Sequence, residues 1–377
     1  MKKMIQIVGF VLAGLAFSSC AAQRSAQSSE ACKVTENNSF AFALYNNIES
    51  LSESKANVLV SPYSAAVALA MLKEGATDKT AEEISTVLGD FDYTLELVKD
   101  PEVKLNCANS AWINQKYHLN DNYKQTLDSK AHALVSELDF ADPKAPSIVN
   151  NWCAENTDGK IQAIVDRFNP QDVLLLVNAL HFKAEWISPF TRTSKDVFHG
   201  TSGDKKVTYM HRNKYASYAE TKQAKMVSLD MGSGLYKMHF ILPGDQMVLS
   251  ESVFRKLLTE QTTKKINLTM PEFKAETSMS LVESLKALGI KKAFTSSADL
   301  SGIGDGPLVV NDVAQKTYID VNKDGCEAAA VTSISVALTS VRPEPSIEMV
   351  IDRPFYFLIT DEYAQNILFI GKTNNVE

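Results

Sequence analysis

The 377-residue chain lacks the short motifs that assemble a catalyst. It has no GxSxG, which argues against a nucleophile elbow. Its six histidines form no HExxH pair. No P-loop and no GxGxxG follows a strand pattern, so no phosphate cradle is written. Asp361 and Glu362 are adjacent, so they face apart on a strand or lie in a turn, and they make no working carboxylate pair. The five cysteines are scattered and never take CxxC spacing, so no metal site and no cofactor are expected. Basic excess is missing too. The net charge is −7 and the pI near 5.5, which argues against a nucleic-acid partner. There is no internal repeat and no interior linker. With 45% hydrophobic and 22% charged residues, the chain is globular and long enough for one large core. An enzyme is not expected.

The N-terminus is different in kind. Lys2 and Lys3 precede the apolar run Met4 to Phe17, and Ser18-Ser19-Cys20 follow. A basic start, a short apolar core and small residues before a cut read as an export signal. The run is too short for a comfortable membrane span. Cys20 resembles the lipid-modified first residue of a bacterial lipoprotein, although Phe17 stands where such signals usually carry leucine. The expected organisation is residues 1–19 as signal, 20–36 as tether and 37–377 as folded domain. Lipid on Cys20 would be the only attachment to a membrane. The protein would then be exported, to a bacterial envelope or surface or to the extracellular space. Cys32, Cys107, Cys153 and Cys326 remain. Disulfides are allowed in an exported protein, and four cysteines permit three pairings; isolated buried thiols are the plainer reading.

Periodicity supplies the elements. Helical spacing covers Ser39–Leu51, Ser64–Leu72, Thr80–Leu88 with Asp78 as cap, Pro146–Ile164, and Ser280–Leu288 stopped by Gly289. Strand patterns cover Asn57–Pro62, which ends in a turn, and Ser110–Ile113, Tyr215–Ala219, Met226–Asp230, Leu235–Leu242, Lys265–Met270, Lys316–Val321, Phe355–Thr360 and Ile367–Gly371. Asp172–Phe182 is an almost unbroken apolar run, the mark of a strand buried on both faces. His181 and His239 lie in such strands and read as hydrogen-bonded core residues. Helices dominate early and strands late, an α+β pattern around a large sheet.

One stretch combines a strand pattern with unusual flanks. From Ala328 to Val341 there is no charge, no proline and no glycine. Cys326, Ala328, Ala330, Thr332, Ile334, Val336 and Leu338 form one row at period two. Glu327, Ala329, Val331, Ser333, Ser335, Ala337 and Thr339 form a smaller, more polar one. Pro343 and Pro345 then forbid continuation as a central strand. The stretch can be a buried strand, yet it opens with poor strand formers and ends in a loop signal.

Several motifs occur together in order. They are Asn57-Val58-Leu59-Val60-Ser61-Pro62-Tyr63-Ser64 and Leu176-Val177-Asn178-Ala179-Leu180-His181-Phe182-Lys183-Ala184-Glu185-Trp186. Pro271-Glu272-Phe273-Lys274 and Ala298-Asp299-Leu300-Ser301-Gly302-Ile303 follow. Then come Glu327-Ala328-Ala329-Ala330-Val331-Thr332, Asp352-Arg353-Pro354-Phe355-Tyr356-Phe357 and Leu368-Phe369-Ile370-Gly371-Lys372. In order and spacing this set resembles the serpin family from about Ser39 to the C-terminus. The resemblance implies three β-sheets, about nine helices, an exposed reactive loop and a monomer. It further implies a suicide inhibitor. A protease attacks the loop, an acyl-enzyme forms, and the freed loop enters the central sheet as a new strand.

Carried onto this chain, the hinge is Lys323, Gly325, Cys326, Glu327, Ala328, Ala329, Ala330 and Thr332. The sheet-opening region is Ser61, Ser64, Asn178, Trp186 and Gln315. The family register puts the reactive bond at Thr339-Ser340, with Leu338-Thr339 and Ser340-Val341 as neighbours. Small Thr339 suits elastase-like or subtilisin-like proteases, and Leu338 suits papain-like cysteine proteases. Arg342 precedes Pro343, whose ring makes that bond a poor target. Three positions depart from the pattern. Lys323 stands where glutamate is usual, Gln315 where many members have histidine, and Cys326 where threonine or serine is usual. A free thiol at Cys326 would make insertion redox-sensitive. Lys323 keeps open a second reading, a non-inhibitory binding or carrier protein whose loop never inserts.

Overall fold

The computed structural model describes residues 36–89, 91, 97–245, 247–327, 345–362 and 366–377. Among them are seven α-helices. α1 (Glu36–Leu51) buries Phe40, Leu44, Tyr45 and Ile48 along one stripe. α2 (Pro62–Glu74) starts where the Ser61 hydroxyl accepts the Ser64 N–H at 3.3 Å, and Pro62 supplies a preset φ at the first turn. Its alanines leave it buried on all sides through Leu72. α3 (Asp78–Leu88) corrects an expectation: Thr77 holds the cap position, and Asp78 is the first helical residue, with φ 46°. α4 (Asp121–Ala131) begins under Asn120, whose side chain accepts the Asn122 N–H. α5 (Ala145–Asn156) ends eight residues before the expected Ile164. Asp158 and Gly159 both take left-handed φ there, which a helix cannot pass. α6 (Glu251–Glu260) is capped by Ser250, and α7 (Val282–Leu288) stops at Gly289, φ 119°.

Fifteen strands are described. They are β1 (Val58–Val60), β2 (Val103–Asn114), β3 (Leu134–Leu138), β4 (Leu174–Glu185), β5 (Arg192–Gly200), β6 (Gly203–Glu220), β7 (Ala224–Met231) and β8 (Tyr236–Pro243). Then follow β9 (Thr262–Pro271), β10 (Phe273–Ser280), β11 (Val310–Val321), β12 (Gly325–Cys326), β13 (Ile347–Val350), β14 (Phe355–Asp361) and β15 (Ile367–Thr373). One sheet runs β10-β11-β12-β4-β2-β3. The other strands join in the order β1-β15-β14-β8-β7-β6-β9-β13, with β5 also on β6. That second network is continuous only through the 18-residue β6. Its residues 203–211 pair β5, residues 209–218 pair β9, and residues 217–220 pair β7. The architecture is α+β, with three groups of strands.

The six-stranded sheet is covered on both faces. Leu174, Leu176, Leu180 and Phe182 of β4 enter the main core with α1 and α2. Leu175, Val177 and Ala179 enter a second core with Ala145, Val149 and Cys153 of α5 and with Trp112 of β2. Double burial explains the unbroken apolar run of β4.

Candidate functional site

The six-stranded sheet divides along one line. β4 and β11 pair in parallel from Leu174↔Val310 up to His181↔Tyr318. Above that last pair they separate, and the two-residue β12 lies between them. Cys326 pairs with Ala184 of β4 and with Val321 of β11, and Gly325 pairs with Glu185. Between β4 and β11 a strand has begun and gone no further than two residues within the described chain.

Beneath the lower part of this line lies a polar row. Asn109, Asn178 and Gln315 are neighbours across β2, β4 and β11. All three are buried on the face toward α2. The Asn178 amide donates to the Asn109 side-chain oxygen. Gln315 holds the start of α2: its Oε1 accepts the Ser61 N–H at 2.9 Å, and its Nε2 donates to the Ser61 carbonyl at 2.9 Å. Thr317 adds a bond to the Leu59 carbonyl at 3.3 Å. The hydroxyl of Ser64 is buried without a hydrogen-bond partner, as is the side-chain oxygen of Asn178. A polar row with spare acceptors can exchange partners when strands move, which an apolar row cannot.

At the upper end, Trp186 donates its indole N–H to the Asn322 carbonyl at 3.0 Å and its backbone N–H to Asp324. It packs edge-on against Phe190 and Phe240. The charge of Lys323 is met locally by Asp324 at 2.7 Å, and its carbonyl accepts from Phe190. Cys326 is fully buried, and burial pushes its thiol far above the ordinary range, followed by the charges of Glu327 and Asp320. Such a thiol is protected from oxidants, which react with exposed thiolates. Cys107, Cys153 and Cys326 are free thiols, so no disulfide links these three.

Glu327 turns out of the strand with φ 55°. Its side chain is 2% exposed and lies 2.7 Å from His181 Nε2 and 3.3 Å from Lys160 Nζ. On its other nitrogen His181 faces Asp158 at 3.5 Å, and Asp158 pairs with Lys104. Bonding to Lys104 holds the Asp158 carboxyl below the usual range.

The family model described as serpin, serine protease inhibitor, matches residues 35–376. The chain belongs to the serpin family. It is 33% identical to Iripin-2 of Ixodes ricinus, over 92% of this chain and 94% of that one. The fold superposes on the native state of the thermophilic serpin tengpin with a TM-score of 0.83. Identity to tengpin is 28%, over 90% of this chain and 93% of that one. It also superposes on human thyroxine-binding globulin, solved with thyroxine, with a TM-score of 0.82. There the identity is 25%, over 90% of this chain and 97% of that one.

In this serpin Ser61, Ser64, Asn178 and Gln315 come together at the lower part of the dividing line. Trp186, Lys323, Gly325, Cys326 and Glu327 gather at its upper end. The rest of the expected hinge (Ala328, Ala329, Ala330, Thr332), the expected reactive bond (Thr339, Ser340, with Leu338 and Val341) and the expected lipidation site Cys20 lie outside the described residues. Asn109, Thr317, Lys160 and Tyr318 carry no sequence signal of this role. Asn109, Thr317 and Tyr318 enter the site through strands distant in sequence, and Lys160 enters from the segment after α5.

Proposed function

We propose that this serpin inhibits endopeptidases as a suicide substrate. The protease nucleophile attacks the Thr339 carbonyl, the Thr339-Ser340 bond breaks, and the leaving amine takes a proton. Residues up to Thr339 stay esterified, or thioesterified, to the enzyme. The freed segment then enters between β4 and β11 and carries the enzyme with it. One observation carries this reading: Gly325 and Cys326 already pair with both strands at the point where the sheet divides. The alanines that follow offer little bulk, and no charge or proline interrupts the run to Val341. The targets fitting Thr339 and Leu338 are elastase-like, subtilisin-like and papain-like proteases. A protease panel read by denaturing gel tests this. Covalent adducts with a released peptide beginning at Ser340 are expected. Clean cleavage without adducts, or a cut after Arg342, overturns the assignment.

A second reading is a carrier whose loop never inserts. Lys323 at the hinge base and the likeness to a thyroxine-binding serpin favour it. A heat-stable form produced by cutting the loop decides against it. For the N-terminus we propose export, with lipid on Cys20 tethering a monomer to a bacterial envelope. The basic, apolar and small-residue order of residues 2–20 supports this. Metabolic labelling with a fatty acid, lost in Cys20→Ala, checks it.

A further inference from the structure

We propose that Glu327 is a positioning residue, a latch that holds the uncut hinge at Gly325 and Cys326 and must release before the strand can advance. The inference rests on reading the hinge as an inserting strand. His181 and Tyr318 are the last partners of the β4–β11 ladder. Glu327 sits over this pair. Its Oε2 accepts from His181 Nε2 at 2.7 Å and lies 3.3 Å from Lys160, whose ammonium is 5.5 Å from the centre of the Tyr318 ring. Glu327 thus ties β4, β11 and the segment after α5 together where the sheet begins to close.

The registers say what must happen next. From Cys326 opposite Ala184, each further residue inward meets one residue earlier on β4, so Ala329 comes opposite His181. From Cys326 opposite Val321, the same step brings Ala329 opposite Tyr318. The two ladders agree, because His181 and Tyr318 are themselves partners. The side chain now over that pair is Glu327, two residues too early. It reaches the spot only by adopting φ 55°, which a carboxylate side chain takes at a cost. The Glu327 backbone N–H already donates to the Asp320 carbonyl at 2.6 Å, so it is the side chain that must leave His181 and turn toward Lys183 of β4 in an advanced strand.

The latch is built to be breakable. Glu327 Oε1 is buried without a hydrogen-bond partner, and His181 Nδ1 reaches only Asp158, at 3.5 Å and beyond a hydrogen bond. A partly satisfied buried charge network holds position at a desolvation cost that release refunds. Lys160 is 43% exposed, so it returns to water easily.

The uncut full chain tests this without any protease. Cys326, fully buried beside the latch, is the reporter; Cys153, on the buried face of α5, is the internal control. Alkylation by iodoacetamide is followed by site-resolved mass spectrometry. In Glu327→Ala and His181→Phe, labelling of Cys326 is expected to rise roughly tenfold, the scale of a lost hydrogen bond to a charged group. Glu327→Gln keeps an acceptor for His181 and should rise less. Lys183→Ala, a partner only after advance, should match wild type. Conversion of uncut Glu327→Ala to a heat-stable form equally supports the latch, since the strand has then moved inward. Unchanged Cys326 labelling with no conversion overturns it, as does a parallel rise at Cys153, which marks general loosening. Failure to trap any protease sinks the inhibitor reading but leaves these readouts intact.

Discussion

Gln315 grips Ser61 by both of its backbone groups, accepting from the N–H and donating to the carbonyl, each at 2.9 Å. The bond pair joins β11 to the first turn of α2 across 254 residues of sequence. It therefore resists lateral movement of β11 away from α2. Movement of that kind is what admitting a strand between β4 and β11 requires.

Gln315→Leu removes the grip while keeping the volume. The Ser61 carbonyl still accepts from Ala65, but the buried N–H loses its acceptor. A loss of about 1–3 kcal/mol is expected, measured by urea unfolding. Uncut protein should also convert to the heat-stable form faster than wild type at one fixed temperature. Equal stability and equal conversion would show that the grip is irrelevant to sheet opening.

His239 sets an acid limit. It bridges Ser228 at 2.7 Å and Thr360 at 3.0 Å, joining β7, β8 and β14. Burial, then the charge of Lys237, lowers its pKa to about 3. The unfolded chain binds this proton near pH 6.5 and the folded one does not until far below. Stability from this group is full above about pH 6.5 and declines as pH falls toward 3, by roughly 1.4 kcal/mol per unit. His239→Gln should flatten the dependence of unfolding free energy on pH over that window. A slope identical to wild type would show that His239 charges without penalty.

Gly371 faces Phe357 in the β14–β15 ladder. A Cβ there would stand 2.3 Å from the tip of the Phe357 ring, which is itself packed on Phe273 at 5.2 Å. The ring is fully buried. Gly371→Ala should cost about 1–3 kcal/mol by overpacking, read as a lowered urea midpoint. Gly371→Ala with Phe357→Leu should recover part of the loss.

The legible parts of this fold are those whose burial follows one clean period. β4 is covered on both faces and reads as an apolar run; β14 and β15 read the same way. β5 and the first half of β6 pair as a ribbon whose residues are mostly exposed, so Arg192–Gly200 carries no apolar alternation to mark it as a strand. α6 is hard to read although Ser250 supplies a cap and Phe254, Leu257 and Leu258 the spacing. Its signal is amphipathic but only ten residues long. Family motifs pointed to Ser61, Asn178 and Gln315. The contact of Glu327 with His181 was not legible, because it joins residues 146 apart and depends on a left-handed turn at Glu327.

The register also identifies the position where a charge should do most harm to trapping. Extending β12 along β4 brings Thr332 opposite Asn178, and extending it along β11 brings Thr332 opposite Gln315. These two are already partners, so the ladders again agree. Thr332 belongs to the inward row with Cys326 and would meet the polar line above Ser61. A hydroxyl can bond there. An arginine would bring an unpaired charge into a buried site, at a cost of several kcal/mol. The substitution lies seven residues before the proposed Thr339-Ser340 bond, so attack on that bond should proceed at a similar rate. Insertion should fail. In Thr332→Arg the adduct fraction on a denaturing gel is expected to fall nearly to zero while cleaved serpin accumulates, and Thr332→Ser should keep most of the adduct. Undiminished adduct from the arginine variant would mean that the strand does not enter in this register, or that it stops short of Asn178.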